Sequence, residues 1–580
     1  MSLEKKKKLR QKRRGKTERA KSRSGGRGID RAGLVAALLG TLLYINTWQH
    51  GYVLDDFSVI KENWVTQQGT DGIGTIWKTA YRYGYWNSQG SLYRPLTLTL
   101  FAIEWEIAPD SPSLPHLINI LLYALLAYLL YILLSRLLSG QHPALPLITS
   151  LLFVAHPLHT EVVANIKSCD EILSFIFGTA AVLLLLRYLQ CSKKKHLLAS
   201  LFMYACAMFS KEGAITFLAF IPILLWFFTD LKPARNLSLS ALYLVPALIY
   251  TGIRNAVLGA AINPKAVGVM DNMLTGIKDT ADRFATEVYL LGKHLFMAVF
   301  PHPLVCDYSI RQIPVQSFQH WEVWLSLFIF IAMITFILMR WKRKDIFAFA
   351  LAWYIAGMVL YSNTVITIGS HFAERFQFVS SLGFCLFVAL LLVRTGRKSE
   401  NYGKTPHLSR LLLSNKLPFA LTALILITYS YATISRNKEW KSDYLLYSHD
   451  VKKSPNSART HYYFGLELMK TKALNAPSEQ LKHLGAIYFN SQQFEKALEV
   501  YQEALRYNPR YADAYQNMGS TLATLGRTQE AIASFKKGLE YEPNNPYLNK
   551  FLGITYQNLG DKQNAEFYLN RARALGARME

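Results

Sequence analysis

Cysteine is scarce: the 580 residues hold five, and none follows Cys385. Cys169, Cys191, Cys206, Cys306 and Cys385 share no metal-ligand spacing, which excludes a disulfide framework and a zinc module. Any exported C-terminal part must therefore fold without disulfides. Charge is thin as well. Asp, Glu, Lys and Arg make up 18% of the chain, against ~25% in an average soluble domain, so a purely soluble enzyme of this size is disfavoured. Acidic residues are in deficit, with 39 Asp+Glu against 64 Lys+Arg and a net charge of +25. Apolar residues are not in deficit: 51% of the chain is hydrophobic, which excludes disorder.

The composition divides the chain. Residues 1–31 form a basic arm, with Lys5 to Lys8, Arg10, Lys12 to Arg14, Lys16 and further cations opposed only by Glu4, Glu18 and Asp30. Such an arm suits nucleic acid or, directly before an apolar helix, the cytoplasmic membrane surface. The second use is the commoner, and no nucleic-acid partner is expected. Residues 32–435 read as an all-α, polytopic membrane domain. The apolar runs at 32–50, 116–138, 143–158, 170–189, 196–210, 213–229, 237–257, 321–340, 345–361, 376–394 and 415–434 predict about eleven spans. Residues 95–107 are too short to span, and 283–300 carry Arg283, Glu287, Lys293 and His294. Both are expected to lie at the membrane surface or to re-enter it. The charge bias supports this count. Lys193 to Lys195, Lys232, Arg235, the run Arg340 to Lys344, Arg394, Arg397, Lys398, Lys404 and Arg410 then fall on the side of the N-terminus, the cytoplasmic side. Two outer loops, 51–94 and 258–320, face the other way, as does everything after 435.

Residues 436–479 read as a connecting segment with one degenerate repeat. From about 480 a period appears. Gly485, Tyr488, Ala497, Tyr501, Ala504 and Pro509 recur as Gly519, Leu522, Ala531, Phe535, Gly538 and Pro543, then as Gly553, Tyr556, Ala565, Leu569 and Ala572. This is the tetratricopeptide pattern: small residues let paired helices approach, and aromatic residues fill the gaps. A C-terminal tetratricopeptide-repeat solenoid over 480–580 follows.

Charged groups beside lipid are costly and mark candidate chemistry. Asp55 and Asp56 sit just after the first span, where adjacent carboxylates suit a general base or form an ordinary solvated loop. Arg94, before Pro95, either grips a phosphate or snorkels. His156, His159 and Glu161, with Asp170, either hold a metal or form a hydrogen-bonded turn. Pro157 between the histidines favours the turn. Lys211 with Glu212, and Glu374 with Arg375, either line a cavity or neutralise each other. Under the eleven-span topology, all fall at the outer ends of spans, a pattern suited to an anionic lipid and a polar acceptor.

The order DD, YRPL, HPLHTE, SKEG, AERF and then repeats resembles the transmembrane and tetratricopeptide-repeat O-mannosyltransferases of the GT-C glycosyltransferase superfamily. The resemblance runs over nearly the whole chain from about residue 32. It implies transfer of a sugar from a polyprenyl-phosphate donor to a hydroxyl of a protein or glycan acceptor at the non-cytoplasmic face, with inversion. Asp55 or Asp56 is then the catalytic base. Arg94, Lys211 and Arg375 are donor-phosphate candidates, and His156, His159, Glu161, Asp170 and Glu374 line the site. No cofactor is required, although Glu161 and Asp170 leave room for a divalent metal. The short repeat tail and cysteine-free exterior suggest a bacterial inner membrane, or an ER membrane in a eukaryote. The chain departs from the family after Val163. Where relatives read Gly-Arg-Ala-Asp-Leu, it has Lys167-Ser168-Cys169-Asp170-Glu171-Ile172, and a lysine supplies a point charge but no bidentate fork. The rival readings are an O-antigen ligase or polymerase, a membrane-anchored repeat scaffold and, third, a transporter.

Overall fold

The computed structural model describes residues 30–86, 90–259, 267–269, 271–309, 312–395, 416–470, 476–490 and 492–577. Residues 1–29 of the basic arm and Arg397, Lys398, Lys404 and Arg410 lie outside the described residues. Among the described residues every regular element is helical.

The membrane domain comprises α1 (Arg31–Tyr44), α2 (Pro95–Ile107), α3 (Ser113–Leu137), α4 (Leu145–Ala155), α5 (Cys169–Cys191), α6 (Lys194–Ser210), α7 (Phe217–Phe228), α8 (Pro233–Leu258, in two stretches), α9 (Thr280–Val299), α10 (Trp321–Trp341), α11 (Ile346–Met358), α12 (Ser381–Arg394) and α13 (Lys416–Glu439). Five are long and apolar enough to cross a bilayer: α3, α5 with the turn before it, α8, α10 and α13. A sixth is the pair α4 and Pro157–Ala164, bent by 54°. Pro157 causes this break, because its ring cannot continue the helix. Four shorter apolar helices contain α1, α7, α11 and α12. Among the described residues the helices meeting full length are thus five or six, fewer than the eleven apolar runs. The helix α9 has 20 residues but, with Asp282, Arg283, Glu287 and Lys293, is not apolar enough to count among them.

Two packed clusters position the loop 51–94 and the helix ends beside it. The larger joins α1, α3, α4, α5, α6, α7, α11 and α12 through residues such as Tyr123, Phe153, Phe175, Phe217 and Phe378. The second clamps the first outer loop onto α2 and the start of α5, through Val59, Ile60, Tyr81, Phe101, Ile166 and Cys169. Pro95 occupies the first turn of α2, where its missing N–H costs nothing. The Thr97 hydroxyl donates to the Ser210 carbonyl at 3.0 Å, so the start of α2 is held beside the end of α6.

The C-terminal part continues as α14 (Asp443–Lys453), α15 (Ala458–Lys470), α16 (Ala476–Asn490), α17 (Phe494–Tyr507), α18 (Ala512–Thr524), α19 (Thr528–Tyr541), α20 (Pro546–Leu559) and α21 (Lys562–Ala574). The repeat residues pack as their period requires. Ala497, Tyr501, Ala504, Ala531 and Phe535 are buried. A Cβ at Gly519 would sit 2.6 Å from the Phe535 ring. Gly519→Val is therefore expected to cost ~1–3 kcal/mol by overpacking. Limited proteolysis of the full chain would show it as faster cleavage within 480–577, and wild-type resistance would refute the packing described.

The junction between the two parts is tightly tied. Trp440 is buried against Val53, Ala164 and Leu446. Arg436 grips Asp450 with contacts of 2.6 and 3.0 Å, and Asp450 also accepts the Cys306 N–H at 2.6 Å. Arg459 pairs with Asp271 and Asp307. The connecting segment is thus bonded to both loops, 51–94 through Leu54 and Asp443 and 258–320 through Cys306, Asp271 and Asp307.

Candidate functional site

The acidic pair divides into two roles. Asp56 is fully buried, and its carboxylate accepts the Val53 N–H at 2.9 Å and the Lys167 N–H at 2.7 Å. Burial pushes its pKa up to about 7, with further upward pressure from Asp443 and Asp55 that the two N–H bonds oppose. Asp55 points elsewhere. Its side chain is 46% exposed and meets Arg82 at 2.6 Å. Burial acts to raise its pKa, but Arg82, then Lys167, Arg375 and Arg459, outweigh that and hold it below the ordinary value of 3.8. Just before the pair, Leu54 adopts a left-handed backbone at φ +53°, unusual for a bulky residue. The turn is fixed by Asp56 on the Val53 N–H and by Asp443, which accepts the Leu54 N–H at 2.9 Å.

Beyond this turn lies a buried ion cluster. Arg94 uses both sides of its guanidinium: NH1 meets Asp170 at 2.5 Å, while Nε meets Glu212 at 2.8 Å and NH2 contacts the other oxygen of Glu212. Lys211 meets Asp170 at 3.0 Å and Glu171 at 2.7 Å, and Lys167 meets Asp170 at 3.5 Å. Three cations face three carboxylates. Glu212 alone among the six is substantially exposed, at 38%. Arg94 also lies 5.3 Å from the Tyr81 ring centroid. Lys211 and Glu212 do not neutralise each other, since each has its own partner.

A second pair stands alongside. Glu161 accepts the Arg375 N–H at 3.1 Å and is ion-paired to the Arg375 guanidinium. Glu374 turns away from Arg375. It accepts the Val305 N–H at 2.6 Å and the Tyr308 hydroxyl at 2.9 Å, and burial pushes its pKa up to about 8. The histidines are held by hydrogen bonds. His156 Nε2 bonds the Ala298 carbonyl at 3.0 Å, and His159 lies between the Tyr123 and Ser381 hydroxyls, each at 2.9 Å. Both are buried. Among the described residues no three His, Cys, Asp or Glu side chains converge as metal ligands.

The structure thus brings together Asp55, Arg94, Glu161, Asp170, Lys211 and Arg375, and it sets His156, His159 and Glu374 into the surrounding packing. None of the three phosphate candidates is without a counter-charge. Arg94 and Lys211 have side chains only 6% and 8% exposed, whereas that of Arg375 is 28% exposed. Sequence reading did not assign Arg82 and Glu171 to the site, and it offered Glu212 only with Lys211, as a pair lining a cavity or neutralising itself. Glu171 and Glu212 adjoin residues it did assign, while Arg82 lies in a loop with no periodic signal.

Comparison with known proteins adds to this. The model described as "TPR repeat" matches residues 485–526, and "Tetratricopeptide repeat" matches 512–545 and 551–572. The chain is 24% identical to protein O-mannosyl-transferase TMTC3 of Mus musculus over 535 residues, covering 85% of this chain and 53% of that protein. The Homo sapiens TMTC3 protein is 25% identical over the same shares. The Drosophila melanogaster protein Tmtc3 is 24% identical, over 88% of this chain and 60% of its own length. The chain therefore spans a little over half the length of these relatives. Among solved structures, the crystal structure of MamA aligns with 23% of this chain and 85% of its own at 23% identity, with a TM-score of 0.18. The homologues of this chain are protein O-mannosyl-transferases, and the chain itself is a multi-pass membrane protein.

Proposed function

We propose that this protein transfers a sugar from a polyprenyl-phosphate donor to a Ser or Thr hydroxyl of a protein acceptor, at the non-cytoplasmic face and with inversion. The relatives' names support the glycosyltransferase class and the protein acceptor. One observation carries the mechanism: Asp55 is half-exposed and paired with Arg82, while its neighbour Asp56 is sealed by two backbone N–H groups. In this reading Asp55 is the base. Its low pKa keeps it charged at every physiological pH. It takes the proton late, once bond formation to the anomeric carbon has made the hydroxyl acidic.

Arg375 is the cation exposed enough to meet the donor phosphate and to stabilise the negative charge growing on the leaving group. The Arg94 cluster acts from behind by holding the outer ends of α2, α5 and α6 together and presenting Glu212. The shorter helices α1, α7, α11 and α12, together with α6 and the bent pair, complete an eleven-span topology. That topology places the basic N-terminus in the cytoplasm and the repeats outside. No metal enters this scheme.

A glycan acceptor, as for an O-antigen ligase, is the second reading. The two outer loops do not favour it, because they bring a carboxylate rather than an Arg- and His-rich surface to the site. The test is reconstitution of the full chain in vesicles with radiolabelled polyprenyl-phosphate mannose. Label on Ser or Thr of an exported protein is expected. Label on glycan alone, or no transfer with any polyprenyl-phosphate sugar, would overturn the proposal.

A further inference from the structure

Beside Val305 and Tyr308, the two partners of Glu374, the end of α9, the chain that follows it and the end of α14 line a cavity of about 120 Å³. That is the liquid volume of about four waters, enough for a phosphate group. Its walls combine basic and apolar groups. Lys293 enters from α9, His302 from the loop after it and Lys453 from the end of α14, with Gln312 beside them. Phe296, Met297, Pro303, Val305 and Tyr308 complete the lining. The Tyr308 hydroxyl is committed to Glu374. Gln312 has its amide oxygen on the Asn456 N–H at 3.2 Å, which leaves its amide N–H groups to donate.

The charge balance favours an anion. Lys453 meets Glu439 at 2.6 Å, and Glu439 also pairs with Arg436, which is bound to Asp450. Among the described residues Lys293 makes no ion pair. Of the two lysines lining the cavity, only Lys453 has a carboxylate partner among the described residues, which leaves Lys293 to meet an anion. Burial also lowers the Lys293 pKa, so an anion beside it would relieve a cost already present. The setting favours a lipid. Phe296 at the cavity is 58% exposed, and Val299 and Phe300 extend that apolar strip at 44% and 60%. A head-group phosphate in the cavity would let an acyl chain run along this strip of α9.

We infer that the Lys293–His302–Lys453 cavity is a phosphate-binding site, separate from the Asp55 site, for an anionic lipid head group or a soluble phosphate. It does not depend on the transferase reading. The test uses purified full-length chain in detergent and fluorescent phosphatidylglycerol, with inorganic phosphate and phosphatidylcholine as competitors. Lys293→Gln is expected to weaken phosphatidylglycerol binding about tenfold. Without lipid its melting temperature should be unchanged, and Asp55→Asn should bind as wild type does. Competition by unlabelled phosphatidylglycerol alone assigns the site to lipid. Competition by millimolar inorganic phosphate assigns it to soluble phosphate. Equal competition by phosphatidylcholine, or binding unaltered in both Lys293→Gln and His302→Gln, would overturn the site.

Discussion

Asp55→Asn is expected to lower sugar transfer by about 10²–10⁴-fold while leaving membrane insertion and melting temperature near wild type. The reason is placement. The Asp55 carboxylate is half-exposed and has no backbone N–H to satisfy, so asparagine can occupy its position without orphaning a donor. What asparagine cannot do is accept a proton. Asp56→Asn should behave in the opposite way. Its amide oxygen can accept one of the two N–H groups, but its amide nitrogen then confronts the other donor. A loss of ~1–3 kcal/mol of stability follows, with transfer falling only as folded protein falls.

The pH dependence gives a second readout of the same residue. Asp55 has its pKa held below 3.8 by Arg82 and the other nearby cations despite the opposing effect of burial. Its acid limb should therefore lie below about pH 4, and Arg82→Gln should move that limb upward, since removing a cation raises a carboxylate pKa. Transfer at the wild-type rate by Asp55→Asn, or equal losses of transfer per folded molecule in both asparagine variants, would exclude Asp55 as the base.

Arg94→Ala should give the largest loss of stability, ~3–5 kcal/mol. Removing this guanidinium leaves Asp170 with two lysines and strips Glu212 of its counter-charge, in a setting where Arg94 and Asp170 are almost wholly buried. A lysine at position 94 should recover only part of the loss, because one ammonium cannot replace a fork that bonds two carboxylates at once. The control is Arg82→Ala. That pair is more exposed, at 21% and 46%, and a partly solvated pair contributes roughly 0–1 kcal/mol. Thermal unfolding in detergent would compare the two. Equal melting temperatures for the Arg94 and Arg82 variants would show that the buried cluster does not hold the outer face together.

The repeats were the most legible part of the chain, because a recurring Gly and aromatic at fixed spacing directly encode close helix pairing. The apolar runs were legible as helices, but their number as full spans was not. Helices such as α7 and α12 are apolar yet short, and sequence hydropathy does not report where a helix ends. The charged cluster was partly legible. Charges beside apolar runs marked Asp55, Arg94, Asp170, Lys211 and Arg375. The same rule also marked His156 and His159, which are polar groups paid for by buried hydrogen bonds. Nothing in the local pattern distinguishes those two cases.

Sequence by itself determined the helical class, the membrane and repeat segments, and the set of charges from which a site could be built. Those properties depend on composition and on spacing along one chain. Tertiary structure decided which charges meet. Arg94 finds Glu212 across 118 positions, and Arg375 finds Glu161 across 214. It also separated Asp55 from Asp56, neighbours of identical chemistry. Asp56 is sealed against the Val53 and Lys167 N–H groups, while Asp55 stays at the surface with Arg82. Partner choice across such distances depends on how helices pack, and no local preference encodes it.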